Sequence, residues 1–209
     1  MKDKIKRVIV KNNKFVIMFI CIVFFLAILE DILDYEIKNF DILGYNIISK
    51  AISEYVTPMA KMITKLGNAE SLILITIILF LVIKNKRIKW AIPINLVCSV
   101  ILNLTLKNII QRPRPIEYRI IDENGYSFPS GHSMVSMAFY GFLIYLIYKN
   151  VKNKYIKVIS ILLLSTLILL IGASRIYLGV HYASDVIGGF LIAISYLILY
   201  IEASKLNFE

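Results

Sequence analysis

Apolar residues fall along this chain in six long runs, at about 14–33, 68–84, 90–110, 132–148, 156–174 and 184–202, separated by short polar gaps. A helix needs roughly 20 mostly apolar residues to cross the hydrocarbon core of a bilayer, and each run meets or approaches that length. The second is the shortest and needs flanking residues or local thinning to span. Hydrocarbon offers no partner to a backbone N–H or C=O, so each run is expected to be helical, with its backbone bonds made internally. Residues 34–67 follow another pattern. Leu43, Ile47, Ile48, Ala51, Ile52 and Tyr55 recur there at helical spacing among polar neighbours, which predicts one or two amphipathic helices lying at the membrane interface. Pro58 is expected to break them. No linker, repeat or low-complexity tract divides the chain, so residues 1–209 are expected to form a single membrane-embedded domain. The fold class that follows is all-α: a polytopic membrane bundle of six transmembrane helices plus short interfacial helices.

Composition agrees with this pattern. Hydrophobic residues make up 58% of the 209 and the mean hydropathy is +0.73, more apolar than the roughly half that soluble domains carry. The net charge of +10 raises the question of nucleic acid, but its distribution answers it. Lys2, Lys4, Lys6, Arg7, Lys11 and Lys14 precede the first run. Lys84, Lys86, Arg87 and Lys89 fill one gap, and Lys149, Lys152, Lys154 and Lys157 fill another. Basic clusters in every second loop follow the positive-inside rule. They put both termini on the cytoplasmic side and the stretches 34–67, 111–131 and 175–183 outside. A phosphate-tracking groove has no room on a surface that faces lipid, so nucleic acid is excluded as a partner and the bilayer is the expected surroundings. The first run lacks a small-residue cleavage pattern before Glu30 and Asp31, and is expected to be retained as a span. Cys21 and Cys98 lie inside apolar runs and are expected to be buried small hydrophobes, neither a disulfide nor a metal pair.

The unusual polar residues gather at the outer ends of spans three, four and five. Lys107 is followed after six residues by Arg114-Pro115; Pro129-Ser130-Gly131-His132 opens the fourth span; Ser174-Arg175 is followed by His181 and then Asp185. Both histidines of the chain are among them. On a helix His181 and Asp185 share a face, and a carboxylate on one ring nitrogen fixes the tautomer and leaves the other nitrogen free to attack. Lys107, Arg114 and Arg175 bring cations to the same face, where phosphoryl oxygens need them. Ser130 and Gly131 stand at a helix N-terminus, an anion site by its free amides. Taken singly, each piece has a plain structural account: a snorkelling cation, a turn with an N-cap, a hydrogen-bonded pair. Taken together at one membrane face they do not, because ionisable groups at membrane depth are functional candidates by default. Gly172, Ala173, Gly188 and Gly189 are small enough to let helices approach closely beside the site. Asp31, Asp34, Glu36, Asp122 and Glu123 form no compact ligand pattern and read as solvated loop charges, so no metal site is expected. Arg112 and Arg119 flank the first motif and are either plain loop residues or a grip on a second phosphate or headgroup.

The three stretches together resemble the signature of the type 2 phosphatidic acid phosphatase superfamily, which also includes vanadium haloperoxidases: Lys-x6-Arg-Pro, Pro-Ser-Gly-His and Ser-Arg-x5-His-x3-Asp. Lys107, Arg114, Pro115, Pro129, Ser130, Gly131, His132, Ser174, Arg175, His181 and Asp185 match it at every defined position. The resemblance implies a lipid phosphate phosphatase in which His181 attacks phosphorus and becomes a phosphohistidine. By the same resemblance Asp185 orients His181, and His132 protonates the leaving alkoxide and later activates water. Lys107, Arg114 and Arg175, with Ser130 and the Gly131 amide, then hold the phosphoryl oxygens, so neither a metal nor another cofactor is expected. The implied partner is a membrane lipid phosphate, a phosphomonoester or pyrophosphate such as phosphatidic acid, phosphatidylglycerol phosphate or undecaprenyl diphosphate. Two alternatives stay open: a phosphotransferase of the same fold, and a non-catalytic phospholipid-binding membrane protein. The vanadate-dependent oxidants of the superfamily are typically soluble, unlike this chain. Oligomeric state has no signal in the sequence.

Overall fold

A computed structural model describes residues 13–204 as eight helices: α1 Asn13–Leu33, α2 Lys38–Ser49, α3 Val56–Lys65, α4 Ala69–Val82, α5 Lys86–Ile110, α6 Gly131–Asn150, α7 Lys154–Tyr177 and α8 Ala183–Ala203. Among the described residues there is no strand. Lys2, Lys4, Lys6, Arg7 and Lys11 of the first basic cluster lie outside them. Five helices, α1 and α5 to α8, are long and apolar enough to cross a membrane alone. The sixth candidate span is a bent pair, α3 with α4. α4 has 14 residues, about 21 Å of helix against a hydrocarbon core of about 30 Å, and α3 leads into it through a 52° bend. The chain is a multi-pass membrane protein.

α6 is the centre of the bundle, packed against α5, α7 and α8, with α1 laid along α8 and α3 against α7. The core holds Leu72, Ile92, Phe139, Phe142 and Ile171, all nearly or fully buried. Outward positions are equally apolar, such as Phe19, Leu81 and Leu163, because their solvent is lipid. Cys98 belongs to this outward set: Cys21 is buried, but Cys98 is exposed on the lipid side of α5, since burial in an apolar run does not say which side of the helix faces protein.

Loop chemistry sets the helix ends. Asn85 accepts hydrogen bonds from the Arg87 and Ile88 amides to start α5, and Asn153 does the same from Tyr155 and Ile156 to start α7. α5 stops where Gln111 turns left-handed at φ 53°. Pro58 does not break the interfacial region as expected. It is the third residue of α3, in the first turn, where a missing N–H removes no intrahelical bond. α2 is a further amphipathic helix; it packs on α7 and α8 with Asp41 as its buried residue.

Candidate active site

The end of α5, the loop 111–130, the first turn of α6, the end of α7 and the turn 178–182 into α8 meet at one end of the bundle. This end is opposite the basic α4–α5 and α6–α7 connections. Two backbone details hold the loops together. The Ile120 amide donates to Leu178 O at 3.0 Å and the Ser130 amide to Asp185 O at 3.0 Å. Gly179, one of the spacer residues between Arg175 and His181, has φ +67°, and a Cβ there would stand 1.9 Å from the Tyr118 carbonyl oxygen. Only glycine fits both demands.

His181 is 3% exposed. Its Nδ1 lies 3.3 Å from Asp185 Oδ2, and its Nε2 lies 2.9 Å from Arg114 Nη1. A guanidinium can only donate, so Nε2 accepts and the ring proton is assigned to Nδ1, facing Asp185. Burial is the main cause that depresses the His181 pKa, and the Arg114 and Arg175 cations add to it. The Asp185 carboxylate opposes them, and the result is about 4. The imidazole is therefore neutral at pH 7, with a lone pair on Nε2. Asp185 is held from every side. Oδ2 also accepts from the Tyr182 amide at 2.8 Å and from the Ser127 hydroxyl, and Oδ1 accepts from Arg112 Nη1 at 2.6 Å.

Arg112 is neither a plain loop residue nor a headgroup grip. Its other nitrogen donates to Asp41 Oδ2 at 2.6 Å, its guanidinium lies 4.1 Å above the Tyr182 ring, and its side chain is 10% exposed. Asp41 Oδ1 in turn accepts from the Ser184 amide at 2.9 Å and hydroxyl at 2.7 Å, so a carboxylate from the interfacial helix α2 caps α8. The two buried carboxylates together hold the Arg112 guanidinium in its charged form against burial, which acts the other way. Arg119 donates to Pro115 O within its own loop and is a loop residue.

The expected cations meet here. Arg114 spends its donors on Gly125 O, Val180 O, Asn124 O and His181. Lys107 Nζ donates to Tyr126 O and Ser127 O. Arg175 is 1% exposed and donates to Thr64 Oγ1 at 2.8 Å and to Glu123 Oε2 at 2.5 Å, while its Nε has no partner among the described residues. Glu123 is thus not a solvated loop charge: the Arg175 and Arg114 cations hold its carboxyl below the usual range against the opposing effect of burial. Ser130 caps α6 and accepts from the Ser133 amide and hydroxyl.

His132 is the second residue of α6, within electrostatic reach of Arg175, His181, Arg114 and Lys107; its Nε2 bonds Asn68 Oδ1 at 2.6 Å. The corner between α3 and α4 presses against it: a Cβ on Gly67 would stand 3.1 Å from the His132 ring. Gly67 and the same ring also line an apolar cavity of about 400 Å³ between α4, α5 and α6, which runs past Leu72, Leu96, Val100 and Val135, with His132 the only polar side chain among the described residues of its wall. All eight residues singled out from the sequence are therefore at one end of the bundle. Sequence reasoning missed Asp41, Thr64, Asn68 and Ser127, and misjudged Arg112 and Glu123. Only Ser127, two residues ahead of the Pro-Ser-Gly-His motif, stood where a local signal could have drawn attention.

The chain is 36% identical over 91 residues to phosphatidylglycerophosphatase B of Bacillus subtilis (strain 168), an alignment covering 43% of this chain and 45% of that relative. In three dimensions it resembles the crystal structure of the transmembrane PAP2 type phosphatidylglycerolphosphate phosphatase from Bacillus subtilis, with a TM-score of 0.83 at 24% identity, covering 92% of this chain and 98% of that one. Aquifex aeolicus LpxE is a more distant neighbour, with a TM-score of 0.61 at 25% identity over 76% of this chain and 92% of that one. Residues 88–209, which carry every motif residue from Lys107 to Asp185, match the family model of the PAP2 superfamily, and the chain belongs to that superfamily.

Proposed function

We propose that this protein is an integral membrane phosphatase that hydrolyses a phosphomonoester or pyrophosphate of a membrane lipid through a phosphohistidine on His181. The observation that carries the reading is the state of His181, buried and neutral, its Nδ1–H turned to Asp185 and its Nε2 lone pair turned toward Arg114. Attack by Nε2 forms the N–P bond as the bond from phosphorus to the lipid oxygen breaks. The developing positive charge on the ring is met by Asp185, already in place. His132 gives a proton to the leaving oxygen, that of the lipid alkoxide from a phosphomonoester or of the lipid phosphate from a pyrophosphate. In the second half a water loses a proton to His132 and attacks phosphorus, the N–P bond breaks, and inorganic phosphate leaves. Lys107, Arg114 and Arg175 neutralise the phosphoryl oxygens. Ser130 adds a hydroxyl whose hydrogen remains available, since its oxygen accepts from Ser133, and Gly131 adds a first-turn amide.

The cavity beyond His132 supports a lipid rather than a soluble ester. It is apolar, and its outer wall includes Ile73, Val97 and Ile101, which face the bilayer. An acyl or isoprenoid chain lying there brings its ester oxygen to His132, the group that must protonate it. The basic clusters at the opposite end of the bundle favour a cytoplasmic location for that end and an extracytoplasmic site. Among candidate substrates, phosphatidylglycerol phosphate comes first, ahead of phosphatidic acid and undecaprenyl diphosphate, because the similar Bacillus subtilis proteins are phosphatases named for it. Phosphate release by the purified protein across these three lipids tests the reading. Turnover of at least one is expected, with ³²P from labelled lipid trapped on the wild-type chain after an alkaline SDS quench, which preserves the acid-labile P–N bond, and neither signal in His181→Ala. Turnover that survives His181→Ala would overturn it.

A further inference from the structure

Every cation expected to hold phosphate is bonded to one short segment, residues 123–127. Arg175 bonds the Glu123 carboxylate, Arg114 bonds Asn124 O and Gly125 O, and Lys107 bonds Tyr126 O and Ser127 O. Only Glu123 brings a charge. It lies within electrostatic reach of Arg114, His181 and Lys107 as well as on Arg175, so its carboxylate sits among the same donors that a phosphoryl group would use. Arg175 is almost wholly buried and has a second, unpartnered donor in Nε, the mark of a guanidinium built to take more than one anionic oxygen.

Glu123 also differs from the other buried ionic groups in its freedom. Its side chain is 31% exposed, against 0% for Asp185 and 4% for Asp41. Its neighbours anchor the segment through backbone carbonyls on Arg114, so the carboxylate can turn outward without the loop moving. Gly125, at φ +78° with nothing near its Cβ direction, leaves space beside it.

Resting on the phosphatase reading above, we propose that Glu123 is a specificity-determining residue: an internal, displaceable anion that reserves the cage for phosphate groups carrying two negative charges. The argument is one of charge balance. Ordinary membrane phospholipids are phosphodiesters with one negative charge on phosphorus. Exchanging one monoanion for another on Arg175 gains no Coulomb energy, and Glu123 has the advantage of being tethered in place. A phosphomonoester, or the terminal phosphate of a pyrophosphate, carries nearly two charges above its second pKa of about 6. It outbids the carboxylate, repels it toward water and takes Nε of Arg175 together with the nitrogen that Glu123 gives up. The residue thereby screens the site against the diester lipids that surround it in large excess.

The test uses the full chain in phospholipid-free dodecyl maltoside micelles at pH 8, where inorganic phosphate is dianionic. Calorimetric titration with inorganic phosphate measures the cage directly, without turnover. Glu123→Gln is expected to tighten phosphate binding by about tenfold, with Glu123→Asp intermediate. In parallel, dioleoyl phosphatidylglycerol, a diester, is expected to displace phosphate from Glu123→Gln and leave the wild-type titration unchanged. An unchanged or weaker affinity in Glu123→Gln, or equal competition by the diester in both proteins, overturns the proposal. If Glu123→Gln does not fold, the same comparison with Glu123→Asp decides it. Tighter binding in the variant without lipid turnover by the wild type would uphold the role of Glu123 and sink the phosphatase reading, so the two failures are separable.

Discussion

At the residue scale, the site rests on side chains whose environment differs sharply from water. His181 is the clearest case, with a pKa lowered from 6.5 to about 4 chiefly by burial. The sign of the effect on stability follows from which state binds the proton. Between pH 6.5 and 4 the unfolded chain takes up a proton that the folded chain refuses, so stability is full above 6.5 and falls as pH drops through that window. The expected contribution is about 3 kcal/mol. Melting temperatures between pH 7.5 and 4.5 should show it as a steeper fall in the wild type than in His181→Gln. Gly179 is the second residue whose environment is decisive. Its positive φ, and a Cβ position that would fall only 1.9 Å from Tyr118 O, leave no space for a methyl group. Gly179→Ala is expected to displace the 118–120 segment from the His181 turn, at a cost of about 1–3 kcal/mol or more, and to lower kcat at least tenfold in a phosphate-release assay.

At the scale of elements, α2 is more than an interfacial attachment. Through Asp41 it caps α8 and holds Arg112 against Asp185, so an ordered chain of alternating charge runs from the membrane surface to His181. Removing one partner of a buried pair strands the other, which costs about 3–5 kcal/mol, whereas an exposed pair contributes about 0–1. Asp41→Asn is therefore expected to lower the melting temperature and kcat together. Lys14→Gln, which breaks the half-exposed pair with Glu202 at the other end of the bundle, should change neither by a measurable amount. This network also marks where sequence reasoning stops. The six spans were legible because lipid imposes helix on any long apolar run, and His181 with Asp185 because a spacing of four is a local fact. Asp41 and Ser184 are separated by 143 positions, and Thr64 and Arg175 by 111. No periodicity links such pairs, and they meet only when the bundle closes. Pro58 failed as a breaker for a related reason: its effect depends on its position within a helix whose start was not visible.

At the scale of the whole molecule, charge and greasiness are sorted to opposite ends and faces. The basic connections lie at one end, the phosphate-binding candidates at the other, and an apolar cavity lined by α4, α5 and α6 reaches His132 at the second end. If that cavity receives the substrate tail, filling it should act on long chains alone. Val100→Trp is expected to raise KM for a long-chain lipid phosphate about tenfold and to change KM for a water-soluble phosphomonoester less than twofold. Equal effects on both would place the tail elsewhere.

His132 stands where the cavity meets the cation cage, and under the proposed chemistry the scission happens at that junction. The freed alcohol then drifts back sideways among the acyl chains, while the mineral fragment departs upward into the aqueous phase. The two halves of the molecule part in different solvents, which clears the junction for the next substrate.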